Sequence, residues 1–132
     1  MNIEYRNSQS FSPEQLRELF LSVEWESGEH PEKLVVAMKN SGTVFSAWDG
    51  NKLVGLVNAL DDGAMTAYIH FLLVNPEYHN RGIGSELLRL TTERYKDYLR
   101  IVLVAYSGKI EFYQKNDFEI GKETTAMFRD SF

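Results

Sequence analysis

Apolar positions change period several times along the chain, and each change marks an element. From Ser12 to Val23, Leu16, Leu19, Phe20 and Val23 recur at helical steps on one face. Ser12 as N-cap, Pro13 at the first helical position and Gln15 completing a capping box predict where that helix starts. The same grammar returns at Pro31, with Leu34, Val35 and Met38 on one stripe and Gly42 read as the stop of a second helix. Ahead of both, Ile3 and Tyr5 alternate with polar neighbours and predict a short edge strand.

Period two takes over in "TVFSAWDGNKLVGLVNAL", two β-rich runs joined at Asp49-Gly50-Asn51. The Asp-Gly dipeptide signals a hairpin because such turns need φ > 0. After Asp61-Asp62-Gly63, "MTAYIHFLLV" predicts a fourth strand, and Ile83, Leu87, Leu90 and Arg94 then lie at helical spacing. "RIVLVA" is a continuous apolar run, as expected of a strand buried on both faces. "GKIEFYQKND" reads as a short helix ending near Asn116, and "FEIGKETTAMF" as a last strand.

The predicted order is thus β-α-α-β-β-β-α-β-α-β. A strand, helix and strand crossover makes the fourth and fifth strands parallel, and the hairpin makes the rest antiparallel. The fold class is α/β in the broad sense (α+β): a mixed, mostly antiparallel sheet with parallel central strands four and five, flanked by helices. A chain of 132 residues accommodates one domain, spanning 1–132.

Composition narrows the chemistry. A net charge of -5 repels phosphate backbones and argues against nucleic acid as a partner. With no cysteine, thiolate metal sites and disulfides are excluded, and a cytoplasmic setting is the default expectation. No apolar run approaches the ~20 residues of a membrane span, and no signal segment opens the chain, so no membrane role is expected. The three histidines, at 30, 70 and 79, have no metal-ligand spacing, and no metal is expected.

The stretch between the fourth strand and the following helix, "VNPEYHNRGIGSELL", carries Gly82 and Gly84 beside Arg81. Two glycines at a helix N-terminus bare several N–H groups before a positive dipole end, which suits a phosphate; a tight turn alone would use the same residues. A dinucleotide fingerprint would need a small residue where Leu87 stands, and a P-loop would need Gly-Lys-Ser/Thr.

The element order, this loop and "IEFYQKNDFE" near the C-terminus together resemble the GNAT superfamily of N-acetyltransferases over essentially the whole chain. The resemblance implies an acetyl-CoA-dependent N-acetyltransferase acting on a primary amine of a small molecule or peptide by direct attack. In that family the glycine loop wraps the pyrophosphate of acetyl-CoA, which assigns His79, Asn80, Arg81, Gly82, Ile83, Gly84 and Ser85 to the cofactor. His79 stands where the family usually has Gln or Arg, and Asn116-Asp117 stands where it often has a glycine before Phe118. Asn and Asp tolerate the left-handed conformation and can replace that glycine. These two departures keep open a second reading, a non-catalytic acyl-CoA-binding sensor or interaction module.

The resemblance further implies that the fourth strand splays from the fifth. The Leu72 N–H then serves as oxyanion donor, and the backbone of Leu73 and Val74 runs along the pantetheine arm with Phe112 nearby. Tyr113 matches the tyrosine that protonates the leaving sulfur in several members, although a tyrosine there also packs a helix on the sheet. His70 matches a histidine that accepts the amine's proton through water in one member, and is expected to share a face with Tyr68, Leu72 and Val74 unless a bulge intervenes. In "EWESGEHPE", Trp25 and Glu26 stand among Glu24, Glu29 and Glu32; the loop borders the acceptor site in that fold and would favour a cationic amine, or is simply a solvated acidic loop. Family members often dimerise, so a homodimer is a further expectation.

Overall fold

The capping box at Ser12 forms. In the computed structural model, which describes residues 2–130, the Gln15 N–H donates to Ser12 Oγ at 3.2 Å and the Ser12 N–H to Gln15 Oε1 at 2.9 Å. They open helix α1, Pro13–Ser22, whose Leu16, Leu19 and Phe20 are buried. Helix α2, Pro31–Lys39, buries Leu34 and Met38 on the same side of the sheet. Gly42 does not stop α2, which ends at its cap Asn40. Its place is a close approach: a Cβ there would overlap the Asp61 carboxylate.

Strands β1 (Glu4–Asn7), β2 (Thr43–Asp49), β3 (Lys52–Asp61), β4 (Thr66–Val74) and β5 (Arg100–Leu103) form one sheet in that order. All neighbours are antiparallel except β4 and β5, which are parallel as the crossover through α3, Ile83–Arg94, requires. The hairpin turns at Gly50, φ 58°, with Asp49 opposite Lys52. One core lies between the sheet and α1 with α2, around Phe20, Met38, Trp48 and Leu73. The other lies between the sheet and α3, around Val57, Ile69, Leu87 and Tyr95, and Phe112 and Tyr113 of helix α4, Ile110–Lys115, pack against it.

Three further expectations fail here, each for a physical reason. In α3 the buried stripe is Ile83, Leu87, Leu88 and Thr91, while Arg94 is exposed and Leu90 only half-buried. Rotating the face by one residue brings the small Thr91 under the sheet, where its hydroxyl donates to the Leu87 carbonyl at 2.9 Å. The "RIVLVA" run is not buried on both faces: β5 alternates exposed and half-buried residues. It stands at the sheet's edge because residues 118–128, expected as a last strand, form no strand among the described residues. The parallel pair is therefore a central strand joined to an edge strand.

Candidate active site between β4 and β5

β4 carries a bulge. Asn58 of β3 faces Phe71 and Ala59 faces Ile69, so His70 is the extra residue. Asn58, fully buried, fills the gap: its Oδ1 accepts the Phe71 N–H at 2.9 Å while its Nδ2 donates to Ser41 Oγ at 3.1 Å. The extra residue breaks the two-residue alternation. Ala67 and Ile69 join the α3-side core ahead of the bulge, and Leu72 and Val74 join it beyond. His70 stays with Tyr68 and stacks on Phe71, ring centroids 5.9 and 3.9 Å away. The bulge that the sequence reading named as the exception is thus present: it parts His70 from Leu72 and Val74, while His70 stays with Tyr68.

The pairing of β4 with β5 ends at Ile69 and Leu103, so β4 runs on to Val74 with no strand on that side among the described residues. The Phe71 and Asn75 N–H groups point towards β3, the latter to the Val54 carbonyl at 2.8 Å. By alternation, the Leu72 and Val74 main-chain groups point into the splay. His79 lies beneath, its Nε2 3.2 Å from the Val74 carbonyl, so its ring turns back onto the end of β4.

Below Val74 the loop is pinned at several points. Asn75 Oδ1 accepts the Glu77 N–H at 2.9 Å in a 3-10 turn over Pro76–Tyr78, and the Tyr78 hydroxyl donates to Asp49 Oδ2 at 2.6 Å. The Arg81 guanidinium sits 5.5 Å from the Tyr78 ring centre. Asn80 and Gly82 both take left-handed backbone, φ 64° and 75°, and Gly82 is the N-cap of α3. The first-turn N–H groups of Ile83, Gly84 and Ser85 have no carbonyl four residues back within the helix, and no side chain caps them. Successive peptides turned this way make a concave anion cradle. Gly84 leaves room above it: a Cβ there would stand 3.5 Å from the Phe112 ring and 3.8 Å from Val74. Val74, Gly84 and Phe112 therefore meet.

Tyr113 follows Phe112 on α4, half-buried in the α3-side core, and this burial raises its pKa. Its place is set by how α4 ends. Asp117 adopts φ 70°, its N–H donates to the Gln114 carbonyl at 3.2 Å, and the Phe118 N–H donates to the Tyr113 carbonyl at 3.0 Å. This pairing of bonds is a Schellman motif with Asp at the usual glycine position, and it sets Phe118 edge-on to Tyr113 at 5.9 Å. Asp117 thus replaces the glycine as the sequence suggested.

On the opposite face, α1 ends the same way. Glu24, φ 60°, holds the left-handed position; its N–H donates to the Leu21 carbonyl at 3.0 Å and the Trp25 N–H to the Phe20 carbonyl at 3.1 Å. Trp25 is folded back onto Phe20, and its ring lies 5.9 Å from Phe71 and 6.1 Å from Tyr106. Glu26, Glu29 and Glu32 are exposed around it, and none of these three joins an ion pair among the described residues. His70 abuts this group through Phe71, and the water it loses to that packing lowers its pKa. The structure so gathers His70, Phe71, Trp25 and Tyr106 on one face and Phe112, Tyr113 and the glycine loop on the other. Sequence reasoning missed Asn58, Phe71 and Tyr106; a lone Asn inside the apolar run "LVNAL" is the one local signal for the first.

The profile of the Acetyltransferase (GNAT) family matches residues 6–118. A Glycine max protein named histone acetyltransferase TAP1 is 35% identical over 104 residues, covering 69% of this chain and 45% of that protein. The chain thus spans less than half the length of this curated relative. Among solved structures, a GNAT family acetyltransferase of Streptococcus pneumoniae superposes with TM-score 0.85 at 26% identity over 98% of both chains. One from Deinococcus radiodurans, described as a putative acetyltransferase, superposes with TM-score 0.82 at 27% identity over 97% of this chain and 87% of that one.

Proposed function

Because the chain belongs to the GNAT family of acetyltransferases, we propose that it is an acetyl-CoA-dependent N-acetyltransferase that acts on a primary amine of a small molecule or peptide. The observation that carries this reading is the splay beyond Ile69, which leaves β4 backbone facing outward directly above the glycine loop.

The residues present fit the cofactor. Asn80 to Ser85 offer N–H groups to a pyrophosphate with Arg81 beside them, His79 closes the end of β4, and Leu73, Val74 and Phe112 border the pantetheine path. When bound, acetyl-CoA supplies a thioester carbonyl activated towards an amine. The Leu72 N–H, held rigid by the sheet, donates to the developing oxyanion. His70 is held neutral at pH 7 by its lowered pKa and takes the amine's proton, directly or through water. Tyr113, kept protonated by its raised pKa, gives a proton to the departing sulfur.

The acceptor enters beside Trp25 and Glu26, where an aromatic wall and unpaired carboxylates favour a cationic amine. Neither nucleic acid nor a membrane enters this reading, and the cytoplasm is the proposed setting; no described helix is long and apolar enough to cross a membrane. The test is a comparison of melting temperatures with acetyl-CoA, ATP and NAD, since selective binding to the folded state stabilises it by mass action. Acetyl-CoA should give the largest rise; no rise with acetyl-CoA would sink the reading. A rise without turnover on any amine would favour the acyl-CoA-binding module.

A further inference from the structure

The β2–β3 hairpin turn reaches the glycine loop through one side chain. Tyr78 ends the 3-10 turn over Pro76–Tyr78, its N–H donates to the Asn75 carbonyl at 2.8 Å, and only 8% of it is exposed. Asp49 and Lys52, the pair that closes the hairpin, both reach it. Asp49 Oδ2 accepts the phenol proton at 2.6 Å, and Lys52 Nζ stands 5.8 Å from the ring centre. Lys52 is itself held between Glu18 of α1 and Glu77, with 3.7 Å to each carboxylate. Both strands of the hairpin and the loop itself therefore fix where the Tyr78 ring lies.

Further along the loop, the Arg81 guanidinium sits 5.5 Å from that same ring centre. Asn80 allows this return, since its left-handed φ of 64° turns the chain back towards Tyr78. A phenol that donates to a carboxylate keeps more electron density on its ring, and a richer ring face attracts a cation more strongly. The bond to Asp49 also raises the Tyr78 pKa, so the hydroxyl stays a donor across the neutral range. Around this ring stand the carboxylates of Asp49, Glu18 and Glu77, in a chain of net charge -5. Unlike a carboxylate, an aromatic face orients a guanidinium without cancelling its charge.

Resting on the acetyl-CoA reading above, we propose that Tyr78 is a positioning residue for the coenzyme's pyrophosphate: its ring, anchored to the hairpin through Asp49, holds Arg81 beside the N–H groups of the glycine loop before the coenzyme arrives. Ordering the guanidinium in advance reduces the entropy lost when the phosphates bind. The hairpin turn thereby contributes to coenzyme affinity although it supplies no phosphate ligand of its own.

Calorimetric titration with two ligands tests this. Acetyl-CoA carries the pyrophosphate, and acetylpantetheine carries the same thioester arm without it. Tyr78→Leu, which removes both ring and hydroxyl, should weaken acetyl-CoA roughly tenfold and leave acetylpantetheine within about twofold. Tyr78→Phe and Asp49→Asn keep a ring in place but lose the charge-assisted bond, so each should weaken acetyl-CoA by roughly two- to threefold. These two carry the comparison if Tyr78→Leu does not fold. Because Tyr78 acts through Arg81, no Tyr78 variant should add to the loss caused by Arg81→Gln. The proposal is overturned if the Tyr78 variants weaken both ligands alike, which would mark a merely structural role, or if their losses add in full to that of Arg81→Gln. Acetyl-CoA binding unchanged by any of these variants overturns it as well and leaves the acetyl-CoA reading standing. No binding of acetyl-CoA by the intact chain sinks that reading, and this proposal with it.

Discussion

At single positions, backbone and burial prepare side chains for opposite proton roles. Burial moves the pKa of His70 down and that of Tyr113 up, so one is neutral and the other protonated across the neutral range. Tyr113→Phe should lower kcat by roughly 100-fold while leaving acetyl-CoA affinity nearly unchanged, the size expected for one positioned acid. For His70 the acid limb of kcat/KM should lie below the ordinary value near 6.5 and disappear in His70→Gln. An unchanged limb in that variant would assign the titration to another group. Glu24 is a different case: a non-glycine residue in left-handed backbone costs about 1 kcal/mol even after glycine's greater freedom when unfolded is allowed for. Glu24→Gly should raise the denaturant midpoint accordingly, with Trp25 still seated on Phe20.

Among elements, the site depends on where regular pairing stops. Asn58→Ala should cost about 1–3 kcal/mol by leaving the Phe71 N–H without its partner, and should free β4 to slip back into simple alternation. Such a slip would remove His70 from its stack, so turnover should fall alongside stability; full activity in a destabilised variant would separate bulge from site. The glycine loop makes a paired prediction for acetyl-CoA titrations. Gly82→Ala forces Cβ onto φ 75° and should weaken binding, whereas a methyl on Gly84 meets only ordinary contacts and should be tolerated.

These cases also show why some of the molecule is readable in its sequence and some is not. The Ser12 box, the Asp-Gly hairpin and Asp117 in place of glycine act within a few residues, so local chemistry announces them. The bulge at His70 is held by a side chain from the neighbouring strand, 13 residues distant. Glu24 has no preference for its conformation, and Gly42 mimics a helix stop because its real constraint, Asp61, lies across the sheet. The apolar run in β5 signals burial, but the strand that would cover it does not form among the described residues.

For the molecule as a whole, one network ties α3 to the far ends of the sheet. The Tyr95 hydroxyl, fully buried, donates to Asp61 Oδ2 at 2.7 Å and contacts Thr43 Oγ1 at 3.0 Å, and burial pushes its pKa up to about 12. The folded state holds this proton more tightly than the unfolded chain, whose tyrosines titrate near 10. The resulting stability is complete below pH ~10 and is lost as pH rises towards 12. Chemical denaturation across that range should show the loss, and Tyr95→Phe should flatten it. What the splayed strands and the glycine loop do together is decided by amine-dependent release of free CoA thiol from acetyl-CoA, measured on the intact chain and on Tyr113→Phe. Release should rise with a cationic amine and fall roughly 100-fold in the variant, whose acetyl-CoA binding persists. Binding of acetyl-CoA with no thiol release for any amine, or release unaffected by loss of the Tyr113 hydroxyl, would contradict this mechanism.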